Sequence, residues 1–262
     1  MGLAHSLRRT IAALPLVAAT VLLGACSAPT AKVMPFIASI GLDGDLSIQD
    51  SGGVAASSSF GDLGVGDDEA AIGGMARIGF GAAELSVAGV GIDYTGSGTA
   101  ASDFDLDGNT IAAGAAVDTE VDLQMTRALF TWDLVPVGGI DLGIGVGATL
   151  LDLRFDLQEQ GGPNRITTDQ VIPVPMIGAR AAWEWGPVDL RADVGGLVIE
   201  LDGDEATVID GELSAAVDFL KMGELVVGYR VTSIDAQYGD SGAKVDADFD
   251  LEGYYLGLQF GF

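Results

Sequence analysis

The residues that could do chemistry in this chain are arginines and carboxylates set at every second position. Arg77, Arg127, Arg180, Arg191 and Arg230 each lie in a different stretch of alternating polarity, on the side that carries small and polar residues. Asp133, Asp141, Glu184, Asp189, Asp193, Glu212, Asp218 and Glu224 share that side. Charges of both signs brought into one confined interior must pair, because an unpaired buried ion costs several kcal/mol. The expected outcome is a salt-bridged plug. A narrow ion-selective channel lined by the same groups is the alternative.

Other chemistry is scarce. The only histidine is His5 and the only cysteine is Cys26, both in or beside the first apolar segment. Once that segment is removed, nothing supports serine–histidine or cysteine–histidine catalysis, a histidine metal site or a disulfide. No cofactor is expected. One loop, Asp103-Phe-Asp105-Leu-Asp107-Gly108-Asn109, resembles the opening of a calcium loop, with acids at alternate positions and a glycine at the turn. Its twelfth position is Gly114 where the family has a bidentate glutamate, so a solvated acidic loop is the default and calcium the alternative.

Residues 1–25 read as a targeting segment: Arg8 and Arg9, then an apolar run from Ile11 to Leu23 too short to span a bilayer comfortably. Leu23-Gly24-Ala25-Cys26 resembles the lipobox of bacterial lipoproteins, which implies that Cys26 is lipidated and becomes the new N-terminus. Ordinary signal-peptidase cleavage nearby is the alternative. The remaining chain carries 10 basic residues against 38 acidic ones, a formal net charge of −28. Such a surface repels nucleic acid and suits divalent cations, a cationic partner or a saline medium.

No later run is long enough for a helical span, yet 48% of the chain is hydrophobic and 39 residues are glycine. Alternating strands reconcile these facts. Ten are predicted, at about 34–48, 69–80, 83–96, 118–134, 138–158, 171–185, 187–201, 206–220, 223–238 and 248–262, after a tether over 26–33; eight is the rival count. Connectors alternate between short turns and longer loops at about 49–68, 97–117, 159–170, 202–205 and 239–247. Ile78, Phe80, Phe130, Trp132, Leu134, alternate residues from Ile140 to Val146 and from Leu213 to Phe219 face one way, with Trp183 and Trp185 as an aromatic belt. A soluble two-sheet sandwich with these residues as its core fits the alternation but not the leader.

The last stretch, YYLGLQFGF, puts Tyr254, Leu256, Leu258, Phe260 and Phe262 on one face and Tyr255, Gly257, Gln259 and Gly261 on the other. With Tyr255, Gly257, Phe260 and Phe262 at the matching positions, it resembles the C-terminal recognition strand of bacterial outer-membrane barrels. Residues 34–262 are thus similar in architecture to small OmpA- and OmpW-type barrels. That resemblance implies an all-β antiparallel up-and-down barrel in the bacterial outer membrane, with periplasmic termini and lipid and the barrel-insertion machinery as partners. Barrel enzymes of this size, such as omptin proteases and lipid A deacylases, imply a catalytic histidine that the mature chain lacks.

Higher on the strands the faces exchange character. Val121, Leu123, Met125, Leu151, Leu153, Phe155, Ile172, Val174, Met176, Leu197, Ile199, Phe249 and Leu251 turn inward, while acids such as Glu120, Asp122, Asp152 and Asp250 turn outward. A wall rising above the bilayer would show this swap. The apolar set forms either a dry core or a pocket for a small hydrophobic ligand, and bulges at Pro173 and Pro175 are a third way to place it. The leading functional expectation is a non-enzymatic structural or surface-presenting protein. A binder or conduit for hydrophobic molecules and an ion channel follow.

Overall fold

The computed structural model describes residues 29–49, 55–66, 68–106, 109–134, 140–201, 204–220, 223–240 and 243–262. The leader, Cys26 and Asp107 lie outside these residues. Ten long strands, β1 (Thr30–Gln49), β3 (Glu69–Gly79), β4 (Ala83–Thr99), β7 (Ala116–Asp133), β8 (Ile140–Glu159), β9 (Arg165–Trp185), β10 (Val188–Leu201), β11 (Asp204–Leu220), β12 (Gly223–Asp240) and β13 (Ala243–Gly261), pair in sequence, all antiparallel. The pairing of β13 with β1 closes the ring. The short β2 (Ala55–Ser59) doubles back on the end of β1, and β5 (Phe104–Leu106) with β6 (Asn109–Ile111) forms a separate hairpin.

Ten barrel strands fall where the alternation predicts them, but they run further. β1 begins at Thr30, inside the stretch expected to be tether. β11 starts at Asp204, β12 reaches Asp240 and β13 starts at Ala243, so strand takes up part of two of the expected longer loops. Pairing through Pro173 and Pro175 stays in register with Leu150 and Ala148, so no bulge resets the phase there. A register shift does occur between Asp218 and Leu220, beside the turn into β12.

The stagger follows from the pairing. One row of paired residues runs from Ala31 through Ile78, Leu85, Phe130, Val146, Ile177, Gly196, Ile209, Ser233 and Asp250, and returns to β1 at Asp43, twelve residues above its start. Ten strands with that stagger tilt by ~40° from the barrel axis. Every residue on the row points outward, and the row is apolar or small until Ile209, then polar and acidic. On β8, Ile140, Leu142, Ile144, Val146 and Leu150 are exposed along the same band. At that tilt they cover a height of ~25 Å, the height of the apolar band of an outer-membrane barrel. Aromatic rings mark both edges. Trp183 and Trp185 stack at 5.9 Å and Phe130 meets Trp132 edge-on at 4.3 Å near one rim, while Tyr229 and Tyr254 lie 4.8 Å apart near the other.

Above that upper rim the outside is acidic. Asp45, Asp248 and Asp235 sit directly opposite one another across β1, β13 and β12. Arg165 is one of the few cations there, donating from Nε to both carboxylate oxygens of Asp156 at 2.8 and 3.0 Å, with Thr167 Oγ1 adding a bond at 3.3 Å. These bonds, then the guanidinium charge, hold the Asp156 carboxyl below its ordinary range. A depressed carboxyl stabilises the fold above its unfolded pKa, ~3.9, and that contribution fades as pH falls through the lower folded value. Because Arg165 is largely exposed, Arg165→Met should destabilise the fold only slightly at pH 7. Urea titrations in vesicles should show this cost shrinking toward zero in strong acid.

Candidate functional site

Among the described residues most of the opposed charges meet in the lumen, and the strand phase puts them there. Inward positions are odd on β3, β7, β8, β10 and β13 and even on β1, β4, β9, β11 and β12, as the alternating burial shows. Arg77, Arg127, Arg180, Arg191 and Arg230 occupy inward positions on five different strands.

Two groups of ion pairs occupy the half of the lumen enclosed by the apolar band. In the upper group Arg127 reaches both Asp210 and Glu212, the latter at 3.2 Å, and all three side chains are at most 2% exposed. Arg230 grips Asp210 Oδ2 through Nε and Nη2 at 3.1 and 2.6 Å, and Thr232 Oγ1 donates to the same oxygen at 2.9 Å. Tyr255, laid across Gly228 where any side chain would overlap its ring, donates its hydroxyl to Glu212 at 2.8 Å. In the lower group Glu84 lies 3.1 Å from Arg180 Nη1 and 2.7 Å from Arg191 Nη2; Arg180 also reaches Asp133 and Arg191 holds Asp193 at 2.6 Å. Arg77 extends the upper group, 3.8 Å from Glu212 and donating to Gln259 at 3.0 Å. Gln259 in turn donates to Glu224, which pairs with Lys32 at 2.8 Å.

Among the described residues this network holds six cations and six carboxylates. Its charges cancel. Asp133, Asp193, Glu212 and Glu224 are among its carboxylates. Asp141, Glu184 and Asp189 instead line a cavity of about 260 Å3 that opens at the end bearing the tryptophans, and make no ion pair. Asp218 is exposed beside the bulge and outside the network, which corrects the expectation for that residue. Glu84, Asp210 and Lys32 complete the network without having been expected.

Above the ion pairs the lumen is apolar. Val121, Leu123, Met125, Leu151, Phe155, Val174, Met176, Phe249 and Leu251 are buried, and Leu153 and Ile172 pack on them. Leu197 is half-buried, and the Ile199 side chain lies outside the described residues. These side chains touch one another and leave almost no room for water. A cavity of about 30 Å3 between Phe36, Met125, Glu212 and Arg230 is the size of one water molecule. The set is therefore a packed core, and the alternative, a ligand-sized apolar pocket, is not formed among these residues.

The segment resembling a calcium loop is the β5–β6 hairpin. Phe104 and Ile111 face each other and are buried, and the Asp103 carboxylate accepts the Ala113 N–H at 2.6 Å. The Asp105 side chain and Asp107 lie outside the described residues, and no group of metal ligands occurs among those described. In the last strand Tyr255, Gly257 and Gln259 face the lumen, Tyr254, Leu256 and Leu258 face out, and Phe262 is exposed. Phe260 pairs with Gly223 and Val33.

No family model matches the sequence, and no curated protein matches it. Solved structures do. The outer-membrane protease OmpT of Escherichia coli superposes with a TM-score of 0.58 at 12% identity, over 88% of this chain and 97% of that one. The fold is that of an outer-membrane β-barrel. Neisserial surface protein A gives a TM-score of 0.38 at 12% identity over 90% of this chain and 100% of its own. Ail of Yersinia pestis gives 0.30 at 8% over 90% and 100%. At these identities the barrel's likeness to other proteins extends to its architecture alone.

Proposed function

We propose that this barrel is a non-enzymatic protein of the bacterial outer membrane, structural or surface-presenting in role, with periplasmic termini and an acidic wall outside the cell. The observation that carries the reading is a filled interior set against a two-part exterior. Where the outside is an apolar band, the inside is a neutralised ion-pair network; where the outside is acidic, the inside is a packed apolar core. An outside that is oily for ~25 Å and charged above it suits lipid below and water above. Beyond the cavity at the tryptophan end, buried ion pairs and a packed apolar core close the lumen and leave ions no continuous water path. With His5 in the leader, the barrel also lacks the commonest general base. Lipid and the insertion machinery are its partners on this reading, and Cys26 its lipid anchor.

Planar-bilayer recording tests the closed lumen. The purified protein should insert without stepwise conductance. Reproducible ohmic steps would reverse the assignment in favour of a channel lined by the same charges.

A further inference from the structure

The apolar upper lumen is not filled by the wall alone. After β2 the chain turns inward, and Phe60, Leu63 and Val65 are buried in the core at 7%, 0% and 2% exposure. Phe60 meets Phe249 edge-on at 6.4 Å. The turn is closed by its own bonds, from the Leu63 N–H to Ser59 O at 3.2 Å and from the Val65 N–H to Phe60 O at 3.0 Å. It is tied to the wall through the Thr99 N–H to Asp62 O at 2.9 Å and the Phe60 N–H to Gly44 O at 3.0 Å.

The wall has a seat for this turn. The inward positions of β4 are apolar from Ala88 to Tyr94 and then become Gly96 and Gly98. A β-carbon on Gly96 would lie 1.8 Å from Gly64 O, and one on Gly98 would lie 2.1 Å from Asp62 O. Gly64 itself has φ +81° and no room for a side chain against Ser97 O. Bare backbone thus lies on bare backbone, which glycine alone permits. The ten-strand ring needs none of these contacts, because β13 closes on β1 without them.

We propose that the turn from Phe60 to Gly66 is a stopper, separable from the barrel wall, that seals the apolar upper lumen from the outside medium. It is a second closure, independent of the ion pairs beneath it. Lifting it out exposes an apolar chamber lined by residues such as Leu123, Leu151 and Val174, a space suited to apolar guests and not to ions. The proposal rests on the reading of the barrel as membrane-inserted with this end outward.

The test places a cysteine at Leu123 in the full-length protein, with the protein lacking it as background, and follows labelling by a small maleimide in vesicles. Gly96→Leu removes the seat, and Leu63→Ser removes the stopper's deepest side chain without touching the wall. Each should raise the labelling rate at least about tenfold while strand circular dichroism and heat-modifiable mobility stay those of the parent barrel. A thiol that stays protected in either variant with the ring intact overturns the stopper. So does loss of the ring in both, since the turn would then belong to the fold. Failure of the unsubstituted barrel to enter vesicles would strike the outer-membrane reading first and the stopper with it.

Discussion

Replacing Arg127 by methionine should destabilise the folded barrel by about 3–5 kcal/mol, because it removes the one cation that two buried carboxylates share. Asp210 is wholly buried and Glu212 nearly so, and Arg127 is the one cation that bonds to both. Arg230 would still hold Asp210, and Tyr255 would still donate to Glu212, but neither spans the pair. Urea titration in vesicles, followed by tryptophan fluorescence, gives the number. Adding Asp210→Asn and Glu212→Gln to the same protein should restore much of the loss, since neutral amides remove the stranded charge. A single variant as stable as the parent would mean that water already reaches this part of the lumen.

The second large effect lies on the other side of the same wall. Val227 points outward from β12 in the middle of the apolar band and is 53% exposed. Val227→Arg should cost about 2–4 kcal/mol, as a cation at the bilayer midplane does. Ser233 lies on the same strand and the same face, six residues higher, paired with Asp250. Ser233→Arg should cost no more than about 1 kcal/mol, the value near an interface. The contrast between two identical substitutions on one strand locates the lipid boundary. Equal costs at both positions would mean that the band does not face lipid.

The period-two alternation is a local property, and it was sufficient to place ten strands and to send the five arginines inward. Partner choice was not legible in the same way. Glu84 and Asp210 meet Arg191 and Arg127 across the lumen, from strands far apart in the chain. Which charges meet is decided by the stagger of the ring and its diameter, neither of which any one segment carries. The acids nearest the open end, Asp141, Glu184 and Asp189, share the inward phase but sit where water serves them, so the phase alone overstated the network.

Glycine misled in a different way. From Ser97, just after Gly96, the sequence reads as the start of a loop, since clustered glycine and serine usually mark turns. Here it is strand to Thr99, and the two glycines are gaps in the inner face made for another piece of backbone. The same applies to the segment after β2, where Gly61, Gly64 and Gly66 close a turn inside the mouth and not a loop outside it. A sequence states that a side chain is missing; only the assembled ring shows what occupies its place.

Brominated lipids test directly whether lipid touches the band between the two aromatic rims. Trp132, Trp183 and Trp185 are all exposed on the outside near one rim. Bromines placed near the headgroup end of the acyl chains should quench their fluorescence strongly, and bromines at the bilayer centre should quench it weakly. Fluorescence indifferent to bromine at every depth, from a folded monomer that stays in solution without detergent, would contradict the account.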